Sequence, residues 1–286
     1  MRALILSGGG VRSAHQLGVL KYLIKEQKKS WDIIAGISAG ALSGSYLSQY
    51  KPHEQIKAID NLENLWRSIE GNHSVYKSWF PKLIPSFLGY FASLWLNGLF
   101  NTSPLRKLIK NNFSQRKLIN SGNKLFIGAV SAQTGKYHFA RETDDNLLDW
   151  IMASSAFPVV FPPVEINDDI WIDGGIRKNI DILTQILVYQ PKEVDIIITT
   201  PINGKIMTPS KNRGGALGIA VRAIQISNEE SIPTHFIESC IEKGIKVNIY
   251  APKENLGIDI LNFSPILIDR FIKKGYDETK ELFEGE

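Results

Sequence analysis

One stretch of this chain leaves little freedom in how it folds: Ile33 to Tyr50, IIAGISAGALSGSYLSQY. A short apolar run stops at Gly36-Ile37-Ser38-Ala39-Gly40 and resumes as a helix of small residues, which predicts strand, tight turn, helix. A serine at the apex of such a turn has its hydroxyl pushed out of the backbone. Glycines two residues to either side let the strand and the helix pass close together. Ser38 then stands at a helix N-terminus, where backbone N–H groups and the helix dipole favour developing negative charge. GxSxG alone is a weak pattern in a chain with 23 glycines, so its meaning rests on what surrounds it.

The surroundings are those of a globular protein. The 286 residues are enough for a full core, and 43% hydrophobic with 22% charged residues excludes a disordered or fibrous chain. The single cysteine, Cys240, excludes an internal disulfide and reads as a small core residue. The opening MRALILSGGG has an apolar run too short for a signal peptide, and no stretch reaches the roughly 18 uninterrupted apolar residues of a membrane span. The expectation is therefore a cytosolic protein, or one delivered by a route the sequence does not show. The net charge is +4, and residues 277–286 hold five acids against Lys280, so the basic excess lies in the rest of the chain. That excess suits an anionic membrane surface, with Arg12, Arg177, Lys178, Lys205, Lys211 and Arg213 near the expected rim of the site. It is too dilute to argue for nucleic acid.

Taken in order, Arg2 to Ser7 predicts a buried strand that runs into Gly8-Gly9-Gly10-Val11-Arg12-Ser13, followed by a helix from about Ala14 to Glu26 with Leu17, Leu20 and Ile24 on one face. Lys25, Lys28 and Lys29 sit where cations suit the end of that helix. A glycine loop there either cradles a pyrophosphate or presents N–H groups to an oxyanion. The dinucleotide reading needs a third glycine at Ser13 and an acid closing the second strand, whereas Asp32 precedes that strand, so the oxyanion reading is preferred.

Glu54 to Ile69 is an amphipathic helix. Gly71 to Thr102 is rich in aromatics among prolines and lysines, and reads either as an inserted cap packed on the core or as a lid that meets lipid. Lys124 to Ser131 and Lys136 to Arg141 predict two strands, Asn146 to Ser154 a helix, and Val164 to Asn167 with Ile170 to Asp173 a hairpin delivering Asp173-Gly174-Gly175. Ile182 to Tyr189 reads as a helix. Val194 to Thr200 reads as a central parallel strand buried on both faces. A Pro201 to Gly214 loop, helices at Gly215 to Ser227 and Ile232 to Glu242, a strand at Ile245 to Tyr250 and a helix at Pro265 to Phe283 complete the chain. This alternation argues for one α/β domain, residues 1–286, around a mostly parallel sheet flanked by helices, with a cap insertion at about 70–102. Ligands of such sheets sit beyond the carboxyl ends of the strands.

A nucleophilic serine needs a base. The α/β-hydrolase order would make His235 the partner, but it carries no motif, and only one strand precedes the serine where that fold has several. The residues resemble instead the patatin-like phospholipase family. The resemblance rests on four motifs in order: Gly8-Gly9-Gly10-Val11-Arg12, Gly36 to Gly40, Ala153-Ser154-Ser155-Ala156-Phe157-Pro158, and Asp173-Gly174-Gly175. It covers most of residues 1–50, 150–181 and the C-terminus. Two departures are Ser13 in place of the loop's last glycine and Asp181 where many members have proline.

The resemblance implies a three-layer α/β/α fold and a lipid acyl hydrolase of phospholipase A or lysophospholipase type that uses no metal and no cofactor. Ser38 is then the nucleophile and Asp173 its base, with no histidine. Gly8, Gly9, Gly10 and Arg12 form the oxyanion hole, and Gly36, Gly40, Gly174 and Gly175 support the two motifs. The partner is a phospholipid or related acyl lipid, met at a peripheral membrane surface. The alternatives are an acyltransferase or neutral-glyceride lipase on the same dyad, and a catalytically silent lipid-binding protein.

Overall fold

Strands buried on both faces must be apolar almost throughout, and the strands at the centre of this fold are. The computed structural model describes residues 1–79, 98–177, 185–202, 234–257 and 259–285, with the isolated residue 219. In chain order the elements are β1 (Arg2–Leu6), α1 (Ser13–Lys25), β2 (Ile33–Gly36), α2 (Ala39–Ser48), α3 (Gln55–Arg67), β3 (Lys77–Ser78), β4 (Phe100–Asn101), α4 (Ser103–Asn112), α5 (Gln115–Ser121), β5 (Lys124–Ser131), β6 (Tyr137–Arg141), α6 (Leu147–Ser154), β7 (Val164–Ile166), β8 (Asp169–Asp173), β9 (Glu193–Ile197), α7 (Thr234–Glu242), β10 (Lys246–Tyr250) and α8 (Pro265–Glu284).

The main sheet has eight strands and a hydrogen-bonded path β10-β9-β1-β2-β5-β8-β7, with β6 also paired to β5. The strands from β10 to β5 run parallel, and β6, β7 and β8 join by antiparallel pairing. The expected mostly parallel α/β sheet is therefore observed. Side chains alternate across it. Leu4, Leu6 and Ile34 join one core with Leu17 and Leu20 of α1, while Ala3, Ile5, Ile33 and Ala35 join a second with Phe126, Val194 and Cys240.

Two helices reach backbone contact. A Cβ at Gly18 of α1 would strike the Ile272 carbonyl of α8, and one at Gly275 would strike the His15 carbonyl. Beside this seam the buried His15 Nε2 meets Glu278 Oε2 at 2.8 Å.

The run Val194 to Thr200 forms the expected parallel strand buried on both faces, with differences of detail. The strand ends at Ile197, lies one place from the sheet edge, and carries a fully buried charge, Asp195. Its Oδ1 accepts from Lys29 Nζ at 2.7 Å and Asn248 Nδ2 at 2.8 Å, and its Oδ2 accepts from Trp31 Nε1 at 2.7 Å. Lys29 does not serve the end of α1, which closes at Lys25; the chain turns and sends that ammonium inward. Burial alone would depress the Lys29 pKa, but hydrogen bonds and charge from Asp195 and Glu193 outweigh it and lift it to about 12.

Of the aromatic insertion, residues 80–97 lie outside the described residues, so the choice between packed cap and lipid-facing lid is not decided by them. Its edges are anchored. β3 pairs antiparallel with β4, Tyr76 packs on Phe100 and Phe161 at centroid distances of 4.7 and 5.5 Å, and Trp79 Nε1 donates to Gly98 C=O at 3.0 Å. Also outside the described residues are Lys178, Asp181, Lys205, Lys211, Arg213 and the predicted helix Gly215 to Ser227.

Removing one partner of a buried ion pair leaves the other uncompensated, at a cost of about 3–5 kcal/mol. Asp195→Ala is therefore expected to destabilise the protein by that order in urea denaturation, and Asp195→Asn, which keeps the shape and one of the two acceptor oxygens, by distinctly less. Equal losses would mean that the charge of Asp195 is immaterial.

Candidate active site

Strand β5 brings the two halves of the site together. β6 occupies one flank of β5 from Phe126 to Val130, so the strands paired over the same residues must share the other flank. There β2 runs parallel up to Gly36↔Ile127, and β8 comes antiparallel from the opposite direction and ends at Asp173↔Ala129. The two strand ends meet head-on across two residues of β5, roughly 7 Å of strand. The chain leaving β2 reaches Ser38 two residues later, so the register of one strand sets Ser38 and Asp173 face to face.

Ser38 sits at the apex with φ 54° and ψ −129°, a backbone region that costs a non-glycine residue about 1–3 kcal/mol. The flanking glycines are steric requirements: a Cβ at Gly36 would strike the Gly40 carbonyl, and one at Gly40 the carbonyls of Leu6 and Ser7. What holds the turn comes from the end of α6. The Ser38 N–H donates to Ser154 Oγ at 3.0 Å, and Ser155 Oγ donates to Ser38 C=O at 3.3 Å. The next residue, Ala156, accepts the Asp173 N–H on its carbonyl at 3.0 Å. One short segment thus grips both Ser38 and Asp173. Sequence reasoning picked out this Ala153 to Pro158 segment as a motif and assigned it no role; two adjacent serines beside an invading proline turn were the available signal.

The glycine loop after β1 lies against Ser38. A Cβ at Gly8 would come within 3.0 Å of Ser38 Cβ, and a Cβ at Gly10 would strike the Ile260 carbonyl. None of the N–H groups of Gly8, Gly9 and Gly10 donates to another group among the described residues. Successive unspent N–H groups make an anion-binding concavity. Arg12 differs from its sequence reading in two ways. Its N–H is spent on Gly9 C=O at 3.1 Å, so it adds no backbone donor, and its side chain is buried, so it cannot face a membrane. Arg177 donates to Gly135 C=O.

Asp173 is 2% exposed. Its Oδ1 accepts the Gly175 N–H at 2.8 Å, and its Oδ2 is buried without a hydrogen bond of ordinary geometry. Gly174 is there because a Cβ would strike the Gly128 carbonyl and the Tyr137 hydroxyl. Burial pushes the carboxyl up from 3.8 to about 7, against the smaller opposing pull of the Gly175 N–H and of the Ser38 hydroxyl. No histidine among the described side chains bonds to either residue. His15 pairs with Glu278, and His138 stacks on Trp150 at 4.2 Å with Asp144 3.5 Å away. His53 and His73 are exposed, and the side chain of His235 is outside the described residues.

Beside Ser38 opens a cavity of about 100 Å³ between α2, α3 and α4. Its walls are almost wholly apolar, among them Leu42, Leu62, Trp66, Leu105, Leu108 and Phe161. The arrangement offers a serine hydroxyl, a carboxylate near neutrality, unspent N–H donors and an apolar receptacle, which together suit acyl transfer from a hydrophobic ester.

Comparison with known proteins gives the family. The model of the family described as patatin-like phospholipase matches residues 4–184. The chain is 24% identical over 229 residues to the cGAMP-activated phospholipase of Pseudomonas aeruginosa (strain BWHPSA011 / Pa011), covering 74% of this chain and 65% of that protein. It is 25% identical over 205 residues to the probable lipid hydrolase 463L of Invertebrate iridescent virus 6, covering 67% of this chain and 65% of that protein. The matched part thus spans about two thirds of the length of each relative. Among solved structures, VipD from Legionella pneumophila superposes with a TM-score of 0.49 and 15% identity over 99% of this chain and 67% of that one.

A carboxyl whose pKa is raised on folding stabilises the native state fully below its unfolded pKa of 3.8, and that contribution is lost as pH rises through about 7. Above pH 7 the ionised, buried Asp173 is a net cost that an amide would not carry. Asp173→Asn is therefore expected to raise Tm relative to wild type by about 5 °C at pH 8, with the difference shrinking toward pH 5. A Tm difference flat across that range would mean that Asp173 does not titrate between the two.

Proposed function

The chain belongs to the patatin-like phospholipase family, and on that premise we propose that it is a lipid acyl hydrolase of phospholipase A or lysophospholipase type, cleaving carboxylic esters with a Ser38–Asp173 dyad. The observation that carries this reading is the free Oδ2 of a buried carboxylate beside Ser38, at the mouth of an apolar cavity.

Each step can be written with its protons. Ser38 Oγ attacks the ester carbonyl carbon as its proton passes to Asp173 Oδ2, and the carbonyl electrons move onto oxygen. The resulting oxyanion is held by N–H groups of the Gly8 to Gly10 loop, whose fixed dipoles need no reorganisation. The bond from carbon to the leaving alkoxide breaks, and that alkoxide takes the proton back from Asp173. Water then repeats the sequence on the acyl-serine, giving up one proton to Asp173 and freeing the fatty acid and Ser38. A carboxylate of ordinary pKa would be a poor base for this, and one near 7 matches the working pH.

The cavity is the receptacle for the acyl chain, which leaves the polar head of a phospholipid or related lipid outside, toward a membrane surface. The names of the two relatives, a phospholipase and a probable lipid hydrolase, support the same substrate class.

Ser38→Ala and Asp173→Asn should each lower kcat on a soluble ester by about 10⁴-fold or more with the fold retained, and a fluorophosphonate should label wild type but not Ser38→Ala. His235→Ala should change kcat little; a folded His235→Ala protein as inactive as Ser38→Ala would bring back a triad. Because Asp173 must be ionised to take the proton, kcat/KM should rise with pH through a midpoint near 7. Within the cavity, Leu108→Trp should depress turnover of long-chain esters at least tenfold more than that of the acetyl ester, and a uniform loss across chain lengths would mean that the acyl chain lies elsewhere.

A further inference from the structure

The glycine loop after β1 is glycine-rich and therefore soft, yet an oxyanion hole is useful only if its N–H groups are fixed before the charge develops. The segment that follows β9 supplies the fixing contact. Thr199, 4% exposed, donates its hydroxyl to Gly8 C=O at 2.7 Å, and Ser7 Oγ reaches the same carbonyl at 3.1 Å. The Thr199 N–H in turn donates to Ser7 Oγ at 3.2 Å. Buried Gln16 of α1 ties the arrangement off, its Nε2 reaching Ser7 C=O at 2.9 Å and Ile197 C=O at 3.0 Å. A Cβ at Gly9 would strike the Thr199 side chain, so the two backbones are pressed together.

In a trans peptide the C=O and the following N–H point in opposite directions. Holding Gly8 C=O toward Thr199 therefore turns the Gly9 N–H away from it. Gly8 lies against Ser38, and the Gly9 N–H meets no acceptor among the described residues.

We propose that Thr199 is a positioning residue for the oxyanion loop: its hydroxyl locks the Gly8–Gly9 peptide with the Gly9 N–H aimed at the nucleophile. Thr199 lies beyond residues 4–184, so a side chain outside the family-matching region completes the site. The assignment rests on the reading of Ser38 as nucleophile given above. It also predicts a definite loss: without the hydroxyl the Gly8 carbonyl keeps only the longer bond from Ser7 Oγ, the Gly9 donor is misaligned for part of the time, and the transition state suffers more than the bound ester.

The test compares wild type, Ser38→Ala, Thr199→Val, Thr199→Ala and Thr199→Ser on one soluble short-chain ester, with kcat and KM resolved and Tm measured for each. Thr199→Val is isosteric and lacks only the hydroxyl. It and Thr199→Ala should lower kcat by about 10- to 100-fold with KM within twofold, while Thr199→Ser keeps at least half of the wild-type kcat. If Thr199→Val does not fold, Thr199→Ala carries the same expectation. Wild-type kcat in Thr199→Val, a Thr199→Ser protein as impaired as Thr199→Val, losses that track Tm, or failure of both hydroxyl-less variants to fold would each overturn the assignment. An active Ser38→Ala would instead remove the dyad reading itself, whereas an inactive Ser38→Ala beside an unimpaired Thr199→Val would remove only the role of Thr199.

Discussion

The pairing of β5 with two different strands on one flank is the constraint from which the site follows. A strand has one hydrogen-bonding edge on each side, and β6 takes the whole of one. β2 uses the first half of the other and β8 the second half, so the two must stop where they meet. A one-residue slip of β8 would turn the Asp173 side chain to the opposite face of the sheet. Register is strongly specified here because the faces of β5 are buried, from Leu125 through Ser131. The separation of Ser38 and Asp173 is thus an outcome of core packing, and it is as robust as the core is.

Around that meeting point the protein gathers features that disfavour the native state locally. Ser38 holds a strained backbone, and among the described residues Asp173 is buried without a cation and three loop N–H groups are unspent. None would persist on a mobile surface loop. They persist because contacts from distant parts of the chain over-determine them: Ser154 and Ser155 on Ser38, Ala156 on Asp173, Thr199 on Gly8 and Gln16 on Ser7. The same chain treats a second buried aspartate in the opposite way. Asp195 is fully buried too, but it is surrounded by donors from Lys29, Trp31 and Asn248, and it ties β9 and β10 to the end of α1. A carboxylate with both oxygens hydrogen-bonded suits a structural part. One with an oxygen left open beside a hydroxyl is what the proposed dyad requires.

Much was legible in the sequence where the signal is local. The strand, turn and helix around Ser38 follow from an apolar run, two glycines and small residues, and Gly36 and Gly40 prove to be places where a Cβ has no room. The hairpin that delivers Asp173, the strand Lys124–Ser131 and the helix from Pro265 were readable from periodicity and turn residues to within one or two residues. The reading failed where a residue's meaning depends on a partner far away in sequence. Asp195 was hidden in an apolar run because the lysine that justifies its burial is 166 residues away. Arg12, read as facing a rim, is folded under the loop.

The sequence by itself determined that Ser38 stands at a strained turn at a helix N-terminus, since that turn is short-range sterics written in neighbouring residues. Only the tertiary structure decided what surrounds it. The carboxyl of Asp173 comes to about 7 because the assembled fold removes water from it, and no neighbour in sequence reports that removal. The serines that grip Ser38 and the threonine that turns the Gly8–Gly9 peptide lie 116, 117 and 191 positions from the residues they serve. Hydrogen bonds and desolvation act over a few ångströms of space, and only folding brings such residues within that range.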